Sequence, residues 1–358
     1  MKRPAKRTSK KKKTQGNLKK VVIAFVLLLV VSASVSFIFF YKRVFSVNLR
    51  LDSNKSEYVY IKTGAELRDV ADALSVSGWL NNRESFIWLA EFMEYDRQIL
   101  PGRYRLKAEM SNLDLVRHLR SGKQEPVKLT FTSIRTKEQL AGKVGKVLEA
   151  DSSSIIVLLN NAQFMEQFGI SPEQALCLFL PDTYEFYWNT DASVFIRKMG
   201  RYYNDFWTSE RLKQAEDAGL SKTDVQIIAS IVTQESNRRD EWPVIAGVYI
   251  NRLRIGLPLQ ADPTVKFALK DFELKRIRKH HTEVDSPYNT YKYKGLPPGP
   301  IYMAGKQSMD AVLNYQQHNY LYFCARPDRS GYHTFSKTYS EHLKAAAQYH
   351  RSLNKRGI

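Results

Sequence analysis

Residues 221–242, SKTDVQIIASIVTQESNRRDEW, decide the fold. Ser221 suits a helix N-cap, and Asp224, three residues on, completes a capping box. Ile228, Ile231 and Val232 recur at helical spacing, and the next position on that face is Glu235. The pattern then breaks at Asn237-Arg238-Arg239-Asp240-Glu241-Trp242. Pro243 suits the first turn of a second helix. That helix carries Val244, Val248 and Asn251 on one side and stops at Gly256. The stretch thus predicts two core helices with a carboxyl at the end of the first apolar stripe.

Glu235 is the candidate catalytic residue. Desolvation at the end of an apolar face disfavours its carboxylate. The negative end of the helix dipole acts in the same direction. Such a carboxyl holds its proton near neutral pH, as a general acid requires. A second reading fits the spacing equally well: a glutamate salt-bridged to Arg238 or Arg239 at a fraying end.

After Gly256 the chain reads as a loop-rich stretch, residues 258–300. It contains Gln260-Ala261-Asp262-Pro263-Thr264, Ser286-Pro287-Tyr288-Asn289-Thr290-Tyr291 and Gly295-Leu296-Pro297-Pro298-Gly299-Pro300. Tyr288, Tyr291 and Tyr293, with Trp242, Asn251 and Asn289, offer flat faces and amides, both of which sugars use. Tyrosine- and proline-rich loops also simply pack on a core, and from the residues alone that is the favoured reading. His280-His281 has no third ligand at a metal spacing and reads as a solvated basic turn. Nucleotide-binding glycine motifs and the nucleophile elbow are absent from the sequence. Cys177 and Cys324 stand apart, each between apolar residues. They read as small buried hydrophobes, with one disulfide open to them outside the cytosol.

Working toward the N-terminus, residues 123–200 form a connecting region. It holds a strand candidate, Pro126–Thr132, and helical patterns at Thr136–Glu149 and Ser152–Asn160. Leu180-Pro181-Asp182-Thr183-Tyr184 reads as a turn. Residues 57–122 read as strand, helix, helix, strand (Glu57–Lys62, Ala65–Val76, Glu84–Tyr95, Gly102–Lys107), the order of a small LysM-like module. A helix capped by Ser111 and Asp114 follows it. Residues 41–56 form a polar linker. Val21–Phe40 is uncharged over 20 residues, long enough to cross a bilayer as a helix.

Net charge is +19, and residues 1–20 carry ten of the lysines and arginines with no acid. Lys42 and Arg43 follow the apolar run closely. The asymmetry predicts a basic cytoplasmic tail (1–20), one span (21–40) and everything later outside the cytoplasm. A lysine run also suits nucleic acid. Here its place beside the apolar segment points to the membrane surface, with no nucleic-acid partner expected. The expected class is α+β: a transmembrane helix, a βααβ module, the connecting region and an α+β domain over 201–358.

Several stretches, in order, resemble the endolytic murein transglycosylases of the MltG/YceG-like group. They are Ala229–Ser236, Ile245–Val248 with Asn251-Arg252-Leu253, Pro258–Val265, Ser286–Tyr291, Gly295–Ile301, Tyr320–Phe323 and Phe335–Tyr339. Upstream, Phe179–Tyr184 and the βααβ module match as well. The family's catalytic motif has two acids in a Glu-Lys-Glu run. Here Thr233 holds the first position and Glu235 the second, which corresponds to the family's catalytic glutamate. Ser133-Ile134-Arg135 replaces a Pro-Glu-Gly, and Met303-Ala304 an Asn-Pro.

The resemblance implies cleavage of the β-1,4 bond between N-acetylmuramic acid and N-acetylglucosamine without water. One carboxyl would act first as acid and then as base, giving 1,6-anhydro ends. It also implies peptidoglycan strands as substrate and a task in terminating nascent strands beside membrane-bound cell-wall synthases. No cofactor or metal is expected. Asn251, Gln260, Asp262, Tyr288, Asn289 and Tyr291 are the candidate substrate contacts. Two other readings remain: a two-carboxylate hydrolase with Asp262 as base or nucleophile, and a wall-binding protein without catalysis.

Overall fold

The computed structural model describes residues 11–51 and 57–354, and the side chains of residues 18–51 and 57–352. The first ten residues of the basic tail, and residues 52–56 of the expected linker, lie outside the described residues. The chain divides into two compact units between Glu125 and Pro126.

The first unit opens with α1 (Lys11–Phe45), followed by β1 (Glu57–Ile61), α2 (Leu67–Val76), α3 (Arg83–Phe92), β2 (Gly102–Leu106) and α4 (Asn112–Arg120). Leu18–Phe45 is long and apolar enough to cross a membrane, and nearly all of its side chains are exposed. β1 and β2 pair antiparallel, with Glu57 opposite Leu106 and Ile61 opposite Gly102. Val59, Ile61, Tyr104 and Leu106 point inward onto Val70, Leu74, Phe86, Leu115 and Leu119. The Ser111/Asp114 capping box that starts α4 is present.

The expected linker does not begin as a loose segment. α1 continues to Phe45, and residues 46–51 thread into the module through bridges Val47–Ser111 and Leu49–Leu80. The physical reason is a buried polar cluster. Asn48 donates to the Asn112 Oδ1 at 2.6 Å and to the Asn82 carbonyl. Asn112 in turn donates to the Arg43 carbonyl and to Ser85 Oγ. Buried amides make these bonds because leaving them unmade is costly.

The second unit comprises β3 (Val127–Thr130), α5 (Lys137–Gly145), α6 (Ser152–Asn160), α7 (Ala162–Glu166) and β4 (Thr183–Phe186). Then come α8 (Ala192–Phe206), α9 (Ser209–Ala218), α10 (Lys222–Glu235), α11 (Trp242–Arg254), α12 (Asp262–Leu269) and α13 (Lys306–Leu313). β5 (Tyr322–Ala325), β6 (His333–Ser336) and α14 (Tyr339–Asn354) close the chain. Its sheets are two separate antiparallel ribbons, β3–β4 and β5–β6. One hydrophobic core runs from Val127 to Leu313, so residues 126–200 share it with α10, α11 and α13. The segment Leu180–Tyr184, expected as a turn, leads into β4, whose Thr183 faces Thr130. Residues 258–300 are less irregular than expected, since α12 starts at Asp262 with Pro263 in its first turn. Cys177 is buried, Cys324 partly so, and both are free thiols.

Candidate active site

α10 carries the site. Its Ser221/Asp224 capping box forms as expected, and every residue from Val225 to Val232 is buried. A helix enclosed so completely has little freedom to shift. Glu235 is its last residue and only half-buried. Just beyond it, Ser236 N–H bonds to the Val232 carbonyl, and Trp242 Nε1 donates to the Ser236 carbonyl at 2.8 Å. Ser236 Oγ donates to Glu241, whose buried carboxylate also accepts from the His333 backbone N–H at 2.7 Å and pairs with His333 Nδ1 at 2.8 Å. The turn after the helix is therefore fixed by the β5–β6 ribbon, and neither Arg238 nor Arg239 pairs with Glu235. Arg238 donates to the Ser330 carbonyl, and Arg239 to Gln307.

Tyr249, on the buried face of α11, donates its hydroxyl to Glu235 Oε1 at 2.5 Å. Among the described residues it is the one hydrogen-bond partner of that carboxyl, which leaves Oε2 for a ligand. Burial pushes the Glu235 carboxyl up to about 7; the Tyr249 bond works against this, the charge of Asp262 adds to it and Lys266 offsets it. Tyr249 keeps its own proton far above the usual phenol range because it is buried beside Glu235. The result is a carboxyl that is about half protonated near neutral pH, with one oxygen pinned. It can donate a proton and take one back.

The candidate contacts separate into two groups. Asp262 is exposed at the start of α12 and accepts from the Tyr291 hydroxyl at 2.6 Å, so these two stand together beside Glu235. Gln260 has φ 54° and lends its Oε1 to Arg252. Its backbone N–H bonds to the Thr290 carbonyl, which brings the two loop motifs together. The rest make contacts within the fold. Asn251 Nδ2 donates to the carbonyls of His318 and Tyr320. Tyr288 packs against Phe267, ring centroids 4.7 Å apart. Asn289 is 0 % exposed, donates to the Thr282 and Val284 carbonyls and accepts from Tyr291 N–H. With both ends of its amide occupied, it has no face left for a sugar.

Two neighbours escaped sequence reasoning. Tyr249 sits in an apolar run and reads as core; the signal was a phenol in that run whose hydroxyl needs a partner. Arg135, in the stretch that departs from the family pattern, donates to Gln234 at 2.7 Å and lies over the rings of Phe272 and Tyr302. His280 is exposed and His281 partly buried on a short 3-10 turn, and among the described residues no group of His, Cys, Asp and Glu is arranged to hold a metal ion.

The YceG-like family profile matches residues 59–348. The chain belongs to the YceG-like family. Among its relatives is the endolytic murein transglycosylase of Bacillus subtilis strain 168, 28% identical over 322 residues, covering 85% of this chain and 88% of the relative. A protein of the same name from Streptococcus pneumoniae serotype 2 is 26% identical over 348 residues, covering 87% of this chain. The chain spans 62% of that longer relative. The crystal structure of a YceG-like protein from Listeria monocytogenes superposes with a TM-score of 0.53 at 27% identity, covering 82% of this chain and 99% of that one. The family match begins within β1, at Val59, and takes in every residue of the candidate site around Glu235.

Proposed function

We propose that this chain is a membrane-anchored endolytic murein transglycosylase with Glu235 as its single acid and base. The observation that carries the reading is the Glu235 carboxyl: pushed up to about 7 and held, among the described residues, by Tyr249 alone; the sequence resemblance assigns the same position to the catalytic glutamate. The names of the relatives point to the same activity.

The reaction balances without water. Glu235 protonates the bridging oxygen as the bond from C1 of the muramic acid to that oxygen breaks. The C6 hydroxyl oxygen then bonds to C1, and its proton passes to the Glu235 carboxylate. The carboxyl is restored and the new end is a 1,6-anhydro ring. Because one group serves both halves, the paired carboxylates of ordinary glycosidases are not required. Asp262, by its nearness, favours one rival: hydrolysis with Asp262 as the second carboxylate.

Three further parts of the reading rest on organisation. The apolar helix α1 is the anchor, and the basic residues before it set the N-terminus in the cytoplasm. The βααβ unit is a LysM-like module that positions glycan without doing chemistry. The placement near the membrane suits the trimming of nascent strands beside wall synthases.

The test is digestion of purified peptidoglycan by wild type, Glu235→Gln and Asp262→Asn, read by mass spectrometry. Wild type and Asp262→Asn should release anhydro ends, one water lighter than hydrolysed ends. Glu235→Gln should release ~10²–10⁴-fold less. Hydrolysed ends from the wild type would hand the site to the two-carboxylate mechanism. Anhydro ends from Glu235→Gln at near wild-type rate would remove Glu235 from its role.

A further inference from the structure

α3 is apolar on two faces. Phe86, Leu89 and Ala90 face the module's core. Trp88 and Phe92, one turn apart, form the other face, with their rings stacked at 5.8 Å and 13°. That face meets the end of α1. Phe40 sets its ring edge-on against both, with centroids 5.9 Å from Trp88 and 6.4 Å from Phe92. The Arg43 guanidinium lies 5.4 Å from the Trp88 ring centre. Phe92 nonetheless remains 66% exposed, unusual for a phenylalanine on a folded module.

The position of Phe40 decides what covers this face. It ends the apolar run Val21–Phe40, and Tyr41, Lys42 and Arg43 follow. If α1 spans the bilayer, Phe40 stands where hydrocarbon gives way to headgroups. Trp88 and Phe92, in ring contact with it, share that depth. Tyr41, next along α1 and about half exposed, adds another ring near that level. α1 cannot swing away from the module, because Asn48, Asn112 and the Arg43 carbonyl are locked in the buried amide cluster.

We propose that Trp88 and Phe92 are seated in the lipid headgroup boundary of the membrane that α1 spans. The module then touches the bilayer with its own surface and does not hang from a tether. The proposal rests on the reading of α1 as a membrane span. Its occupant is lipid: tryptophan and phenylalanine rings at this depth place apolar faces against acyl chains. Lys42 and Arg43 beside them meet the phosphates.

The test uses the full chain in nanodiscs of phosphatidylcholine and phosphatidylglycerol, with lipids brominated near the headgroup end of the acyl chain or left plain. Bromine quenches nearby tryptophan emission, and the chain has five tryptophans, none within residues 21–40. Bromolipid should remove roughly one-fifth of wild-type emission, one tryptophan's share of the five. Trp88→Phe should lose that quenching, and the double variant Trp88→Phe/Phe92→Trp should regain it, which guards against a mere folding defect. Equal quenching of wild type and Trp88→Phe would overturn the proposal. So would no quenching while the chain stays in the nanodisc, since the face would then be free for a protein neighbour. A chain that leaves the membrane in alkaline carbonate would overturn the span itself, and the proposal with it.

Discussion

Replacing Tyr249 by phenylalanine isolates the bond that tunes the carboxyl proposed as acid and base. The Tyr249 hydroxyl donates to Glu235 Oε1 at 2.5 Å and favours the charged carboxylate, so it holds the group below the value that burial alone would set. A hydrogen bond to a charged group contributes about 1.5–3 kcal/mol. One unit of pKa is about 1.4 kcal/mol, so removing the bond should raise the carboxyl by about one to two units. The acid form starts the reaction, so kcat/KM of the wild type should fall as pH rises through about 7. In Tyr249→Phe that falling limb should move to higher pH by the same one to two units, while the maximum rate drops because Oε1 is no longer pinned. The assay is the initial rate of anhydro-end release at low substrate, measured from pH 5 to 10. An unmoved limb, or one moved to lower pH, would refute the reasoning. A merely structural role for Tyr249 would lower activity evenly across the range.

Two predictions concern stability. The Glu235 carboxyl keeps its proton to about 7 in the folded chain, against 4.5 ordinarily. The folded state therefore binds more protons between those values, and this group's contribution to stability falls as pH rises through that window. Glu235→Gln removes the loss, so thermal melts should show it more stable than wild type at pH 8, by on the order of 3 kcal/mol, and near wild type at pH 4; equal gains at both would contradict the burial argument. Asn289→Ala should lower stability by about 1–3 kcal/mol, since it strands two partly buried carbonyls and a backbone N–H. An unchanged melt with weaker glycan binding would restore Asn289 as a sugar contact.

Much of the scaffold could be read from local chemistry. Ser111 with Asp114, and Ser221 with Asp224, announced two helix starts because a capping box is a contact between residues three apart. The βααβ order showed because its strands alternate and its helices carry clean stripes. α12 was hidden because Asp262-Pro263 suits a turn as well as a helix start. β4 was hidden because its pairing with β3 joins Thr183 to Thr130, far apart in sequence and only four residues long. The site was half legible. Glu235 stood out by its place on the stripe, but Tyr249 looks like any core residue until α10 and α11 are packed. Asn289 looked like a ligand contact because nothing local says that its amide closes its own loop.

The pairing of Glu241 with His333 has a consequence for when the enzyme comes alive. The turn that holds the end of α10 is secured by residues about ninety positions later, and α11 is held there too, through Asn251 and Arg252 to the carbonyls of His318, Tyr320 and Leu321. A chain emerging N-terminus first builds its anchor and module early and this ribbon nearly last. Until the ribbon closes, Glu241 lacks its His333 partner, and the turn that follows Glu235 is held by its local bonds alone. On the proposed topology, with the second unit outside the cytoplasm, a half-exported chain would lack this alignment, and cutting would begin only once delivery is complete.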